Sequence, residues 1–218
     1  MGMDFGGEDA LKKFGICAIV IGLSACASIS TPSAQPKAAD AFFQRLSSYC
    51  GKAFGGRLVS NEAPDADMVA MPMVMHVRNC SESEIRVPFH VGKADGSWDR
   101  SRTWVITRTP QGLRLKHDHR HEDGSHDKVT MYGGDTASEG TAQRQEFVVD
   151  AESIVLFQRE GLARSVTNIW AVEIEAPKSP NAKFAYELRR VGENARFFRV
   201  EFDLTTPIAS PPPPWGSE

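Results

Sequence analysis

The chain has few features that would announce a chemistry. Its 218 residues contain 4 cysteines, too few for a cysteine-dense scaffold. No Gly-x-Ser-x-Gly elbow, His-Glu-x-x-His pair or Gly-rich phosphate loop occurs. Motif-bearing hydrolases, zincins and phosphate-loop enzymes therefore have no support. Basic and acidic residues nearly balance, 25 against 28, with no concentrated basic patch, which sets nucleic-acid binding aside. No apolar run approaches the roughly 20 residues of a membrane-spanning helix. Hydrophobic residues make up 41% and charged residues 24%, which supports one sizeable core and argues against wholesale disorder.

The start of the chain reads as an address. Lys12 and Lys13 precede an uncharged run of about a dozen residues from Phe14 to Ala25, ending in small side chains. That is the layout of a signal peptide, here residues 1–25. Asp4, Glu8 and Asp9 depart from the usual signal lead. The sequence Leu23-Ser24-Ala25-Cys26 resembles the lipobox of bacterial lipoproteins. The resemblance implies cleavage before Cys26, acylation of Cys26 and anchoring of the mature protein to a membrane through that lipid. Ala27 in place of Asp implies the outer membrane, facing the periplasm. A Ser-, Pro- and Ala-rich stretch completes residues 26–39 as a lipidated cysteine and tether. Residues 40–207 remain as one domain, and residues 208–218, with Pro211 to Pro214, are expected to be extended and unpacked.

Of the other cysteines, Cys17 falls in the leader. Cys50 and Cys80 are left as an even pair in an oxidising compartment and are expected to bond. Closing that loop would stabilise by about 3–4 kcal/mol in the chain-entropy model.

Phe42, Phe43, Leu46, Tyr49, Cys50 and Phe54 recur at spacings of three and four, predicting a helix that Gly55-Gly56 would end. Beyond it the period becomes two, in runs over 73–79, 84–91, 102–108, 112–121, 129–132, 145–149, 167–175, 183–190 and 196–204. Asp95-Gly96, Asp123-Gly124 and Gly133-Gly134 are among the turn signals between them. Asp150 can cap a short helix near 151–160. Short strands with mostly tight connections predict a mainly β fold, an antiparallel up-and-down barrel of about nine or ten strands. This layout resembles the calycin architecture of lipocalins and fatty-acid-binding proteins, although the lipocalin Gly-x-Trp signature is missing. The stretches Lys116 to Gly124 and Thr167 to Glu173 resemble an uncharacterised family of secreted bacterial proteins, which implies no activity.

Four of the 6 histidines, His117, His119, His121 and His126, fall in one short span. On a strand, Leu113, Leu115, His117, His119 and His121 share a face, and a turn at Asp123-Gly124 would set His121 opposite His126 and Arg120 opposite Asp127. Imidazoles at i and i+2 with a third from the next strand can grip a transition metal, so zinc, copper or haem iron is one expectation, although none is required. A solvated polar hairpin tip is the other. His76 and His90 read as half-buried strand residues. Trp104, Tyr132 and Trp170 could line a cavity for a small, partly apolar ligand, or simply fill the core. Arg102, Arg108, Arg189 and Arg199 could meet an anion if they faced inward, with outward placement the default. The functional expectation is a lipid-anchored, non-catalytic envelope protein that binds such a ligand in its barrel. The rivals are an envelope interaction module without a ligand, and a metal or haem protein.

Overall fold

The computed structural model describes residues 37–217; the leader, Cys26 and most of the tether lie outside them. In chain order the elements are α1 (Ala38–Ser47), β1 (Ala53–Leu58), β2 (Met73–His76), β3 (Asn79–Cys80), β4 (Glu84–Gly92), β5 (Trp98–Thr109), β6 (Gly112–His119), β7 (Tyr132–Thr136), β8 (Arg144–Val149), α2 (Ala151–Arg159), β9 (Ile169–Ile174), β10 (Lys183–Arg190) and β11 (Arg196–Asp203). All pairings are antiparallel. β1 pairs β2, β2 pairs β4, each strand from β4 to β11 pairs the next, and β11 returns to β1. Ten strands thus close an up-and-down barrel, and β3 adds a short eleventh on β4. The mainly β barrel with an N-terminal helix and a short second helix is the expected fold.

One wall of every strand faces a common core. The inward sets include Ile85, Val87, Phe89 and Val91 on β4, Trp104 and Ile106 on β5, Leu113, Leu115 and His117 on β6, and Phe184 and Tyr186 on β10. Charged residues take the alternate positions, so the two-residue period of the sequence becomes an inside and an outside. On the outer wall of β8–β11, Arg144 meets Glu146, Glu173 and Glu187, while Arg199 meets Glu173, Glu187 and Glu201. Arg189 and Arg199 belong to this outer ladder rather than to the interior.

Two expectations need correction. The first helix stops at Ser47, and Gly55-Gly56 lies inside β1 rather than in a turn. A Cβ on Gly56 would come within 2.3 Å of the Phe202 ring and 2.5 Å of the Glu201 carbonyl, so the glycine permits close packing of β1 on β11. The segment 208–217 is extended, as expected, but it is packed. Ile208 N–H donates to the Ala53 carbonyl (2.9 Å), His90 Nε2 to Pro212 O (3.0 Å) and Arg100 Nη1 to Pro213 O (2.7 Å). Proline cannot donate, yet its carbonyls accept freely, and that is how this strap is held. It crosses the outer wall of β4 and β5 and leaves His90 with no solvent exposure.

The two ends of the barrel differ. At the end where β5 finishes and β6 begins, α1 inserts Phe42, Phe43 and Leu46 into the core. Arg108 pairs with Asp40 and lies over the Phe43 ring, Tyr49 Oη donates to Glu175 O (3.0 Å), and a Cys50–Cys80 disulfide ties the segment after α1 to β3. The opposite, upper end is where β5 and β7 start and where β6 and β10 finish. There α2 begins at Asp150, whose side chain caps Ser153 N–H (2.8 Å) as the sequence predicts.

Candidate functional site at the upper end of the barrel

β6 carries a polar line into an apolar core. Its inward positions run Leu113, Leu115, His117, His119, so the last two place imidazoles where the barrel opens upward. His117 is buried. Its Nδ1 lies 3.1 Å from the Tyr132 carbonyl, which can only accept, so Nδ1 carries the proton. Nε2 then accepts from the Tyr186 hydroxyl at 2.7 Å. The rings stack as well: His117 on Tyr132 at 4.7 Å, with Trp170 5.2 Å away. Trp104, directly across from His117 on β5, extends the cluster across the core, 4.5 Å from Tyr186 and 4.9 Å from Phe89. Its indole is therefore fully engaged inside the barrel.

Above this floor the groups are half-buried. The Tyr132 hydroxyl hydrogen-bonds His119 Nε2 at 3.2 Å. Arg102 is the direct cross-strand partner of His119 and pairs with Asp99. A register shift between Phe89 and Val91 sets Arg102 opposite Phe89 and Asp99 opposite Val91, so both reach the inner wall.

Burial governs the protonation of this column. It pushes His117 down to about 3, helped by the neighbouring His119, and it pushes His119 down to about 4, helped by the Arg102 charge. It raises Tyr132 to about 12 and Tyr186 well above the usual phenol value. At neutral pH the imidazoles and phenols of the column are thus uncharged, with Arg102, Asp99 and Asp127 among the charges beside it.

The four histidines do not form one set. His117 and His119 face inward, whereas His121 and His126 are exposed outside. His126 Nδ1 is 3.5 Å from Asp118 on the outer wall, and Nε2 is 3.2 Å from Arg120. The expected register is off by one: Arg120, not His121, stands opposite His126. Gly124 adopts φ +83°, and its N–H donates to His121 O while His121 N–H donates to Ser125 O. That three-residue loop adds a residue to the expected two-residue turn and shifts the pairing. Among the described residues no group of three or more His, Cys, Asp or Glu is arranged to hold a metal ion.

By contrast, Trp104, Tyr132 and Trp170 do come together, with His117 and His119 among them. Tyr186 joins as the hydrogen-bond partner that sequence could not assign, because it is 69 residues away from His117. A depression of about 460 Å3 lies elsewhere, on the outer wall at Gly55, Gly56, Lys183 and Glu201. Lys183 and Glu201 there are already paired with each other. Comparison with protein-family models, with curated proteins and with solved structures found no match.

Proposed function

We propose that this is an exported protein, held on the outer membrane by acyl chains on Cys26, whose barrel binds a small, partly apolar molecule at its upper end. The leader and the lipobox resemblance support export and anchoring; several acyl chains on one cysteine give a stable anchor where one would not. The observation that carries the binding reading is the pairing of floor and rim. Trp170 and His117 form a buried aromatic floor, and half-buried Tyr132, His119 and Arg102 stand above it. Mostly apolar surface with a few placed polar groups is what small-ligand sites present. The ligand sits above Trp104 rather than along the barrel axis, because Trp104, Phe89 and Tyr186 stack there.

A non-catalytic role fits the same chemistry. A general base works best with a pKa near the working pH, and His117 and His119 lie far below it. Both ring nitrogens of His117 are engaged by Tyr132 and Tyr186, which leaves neither to ligate a metal or haem iron.

The test has two arms. Mass spectrometry of protein purified from membranes should find an acylated Cys26 at the new N-terminus; protein that retains residues 1–25 overturns the anchoring. An environment-sensitive apolar dye should bind the intact protein saturably and lose at least tenfold in affinity in Tyr132→Ala. Dye binding that is absent, or indifferent to Tyr132→Ala in a variant with native circular dichroism, overturns the ligand site. In that case the envelope interaction module is the better reading, favoured by the ring-filled centre of the barrel.

A further inference from the structure

The top row of the inner wall continues past the aromatic column on β9, β10 and β11. Arg190 follows Phe184, Tyr186 and Leu188 on the inward face of β10. Arg196 precedes Phe198 and Val200 on the inward face of β11 and stands directly opposite Arg190. On the other side, the pairing Arg189 with Ile169 runs on to Asn168, whose carbonyl accepts from Val149 N–H at 3.1 Å. Asn168 shares the inward face with Trp170, and Arg164 lies on the 3-10 turn Ala163–Thr167 that leads into it. Two like-charged arginines are thus set face to face at the upper end.

The arginines are not treated alike. Arg196 is neutralised: its guanidinium holds Asp65 with both terminal nitrogens and takes Glu62 at 2.6 Å. Glu62 is spent on that contact and on the Phe197 N–H (2.7 Å). Arg190 and Arg164 have no ion-pair or hydrogen-bond partner for their side chains among the described residues. Three cations face two carboxylates, and the excess charge rests on Arg190 and Arg164.

Two buried atoms mark the spot. Arg190 Nε is buried without a partner, and so is Asn168 Oδ1, on a residue only 5% exposed. A buried donor or acceptor left unmatched forfeits its hydrogen bond to water, so sites that leave one invite a ligand or water to supply the match. Burial, then the neighbouring charges of Arg196 and Arg164, push the Arg190 guanidinium below its ordinary value, the direction an added anion would reverse. Leu162 and Val191, which flank Arg164 and Arg190 along the chain, are exposed apolar side chains that suit the remainder of an amphiphile.

We propose that Arg190, Arg164 and Asn168 form a binding site for the oxyanion head, carboxylate or phosphate, of a small molecule whose apolar part lies along the upper rim. This rests on the binding reading of the upper end, and it adds the charge and the donor set of the ligand. The guanidinium of Arg190 offers its fork to two oxygens of the head group, and exposed Arg164 adds charge from the adjacent turn. Asn168 Oδ1 accepts from a hydroxyl or ammonium carried next to that head.

The intact protein is titrated calorimetrically with inorganic phosphate and, separately, with acetate and octanoate at constant ionic strength. Arg190→Met, Arg164→Met and Arg57→Met are run alongside; Arg57 is exposed on β1 and serves as the control. Saturable binding is expected for at least one anion, at least tenfold weaker in Arg190→Met, about threefold weaker in Arg164→Met and unchanged in Arg57→Met. Arg190 has no partner to lose, so Arg190→Met should unfold at or above the wild-type temperature. Octanoate binding more tightly than acetate identifies a carboxylate amphiphile; phosphate preferred over both identifies a phosphate ester. No saturable binding of any of the three, or equal loss in Arg57→Met, overturns the assignment. Phosphate or acetate binding that survives failure of the apolar dye keeps the oxyanion site and rejects only the apolar-ligand reading.

Discussion

The two ends of one barrel have been built to different rules. The end at α1 is closed by apolar side chains and tied by covalent and ionic links: Phe42, Phe43 and Leu46 buried, Cys50 bonded to Cys80, Arg108 on Asp40. The upper end carries more polar groups than the α1 end, which has a buried unmatched atom of its own, Gln145 Oε1. Uncharged histidines sit beneath an Arg–Asp pair, and two arginines without carboxylates sit beside an unmatched asparagine oxygen. Polar groups in such places cost stability, and proteins carry that cost where they bind or react. On the proposed reading, the contrast places stability at one end and recognition at the other.

The sharpest way to break that contrast is to damage the closed end. Phe42 has no solvent exposure, and Phe42→Ala should lower unfolding free energy by about 3–5 kcal/mol while ligand affinity of the folded fraction stays as in wild type. A loss of affinity matching the loss of stability would dissolve the division. Opening the disulfide with Cys50→Ser and Cys80→Ser together should cost about 3–4 kcal/mol, because the bridge closes a loop of 30 residues in sequence. Denaturant titration reads both, and an effect below about 1 kcal/mol in either would move the stability elsewhere.

The upper end should declare itself through pH. His117 and His119 titrate near 3 and 4 when folded and near 6.5 when unfolded. Between those values the unfolded chain binds more protons, so stability is full above about 6.5 and falls as pH drops toward 4. Each histidine should remove about 2–3 kcal/mol by pH 4.5, and His117→Gln should flatten the slope. The carboxylates with lowered values, such as Asp99 and Glu173, act in a separate window below about 4, where their stabilisation is lost. Loss confined to that lower window would mean that the histidines are not buried as described.

How far the sequence speaks for itself differs between the same two regions. The period-two runs gave the strands and their inward faces because one-sided burial imprints alternation directly. The disulfide was legible from the even pair of cysteines that the expected leader leaves over. β1 was not, because Gly55-Gly56 reads as punctuation, whereas Gly56 is a spacer beneath Phe202. The histidine cluster was visible but split, since one extra loop residue at Gly124 is silent in the pattern. Arg190 and Arg196 could not be paired in advance, because an arginine at a strand end shows no sign of which wall it takes.

The strap is the third region that composition misjudged, since four consecutive prolines conceal how many carbonyls are available to accept. It also offers the smallest expected effect. Gly216 has φ +74°, and a Cβ there would meet Arg120 Cδ at 2.8 Å and Gly124 O at 2.9 Å. Gly216→Val should therefore lift the end of the strap, cost about 1 kcal/mol and speed proteolysis after Pro214, with binding at the upper end unchanged.

The most direct test of the division between ends is to map ligand-induced amide shifts on the intact protein with the apolar dye and with octanoate. Perturbations are expected at Arg102, His119, Tyr132, Asn168 and Arg190, with α1 and the residues around Cys50 and Cys80 silent. Shifts concentrated at α1, or spread evenly over both ends, would contradict the account.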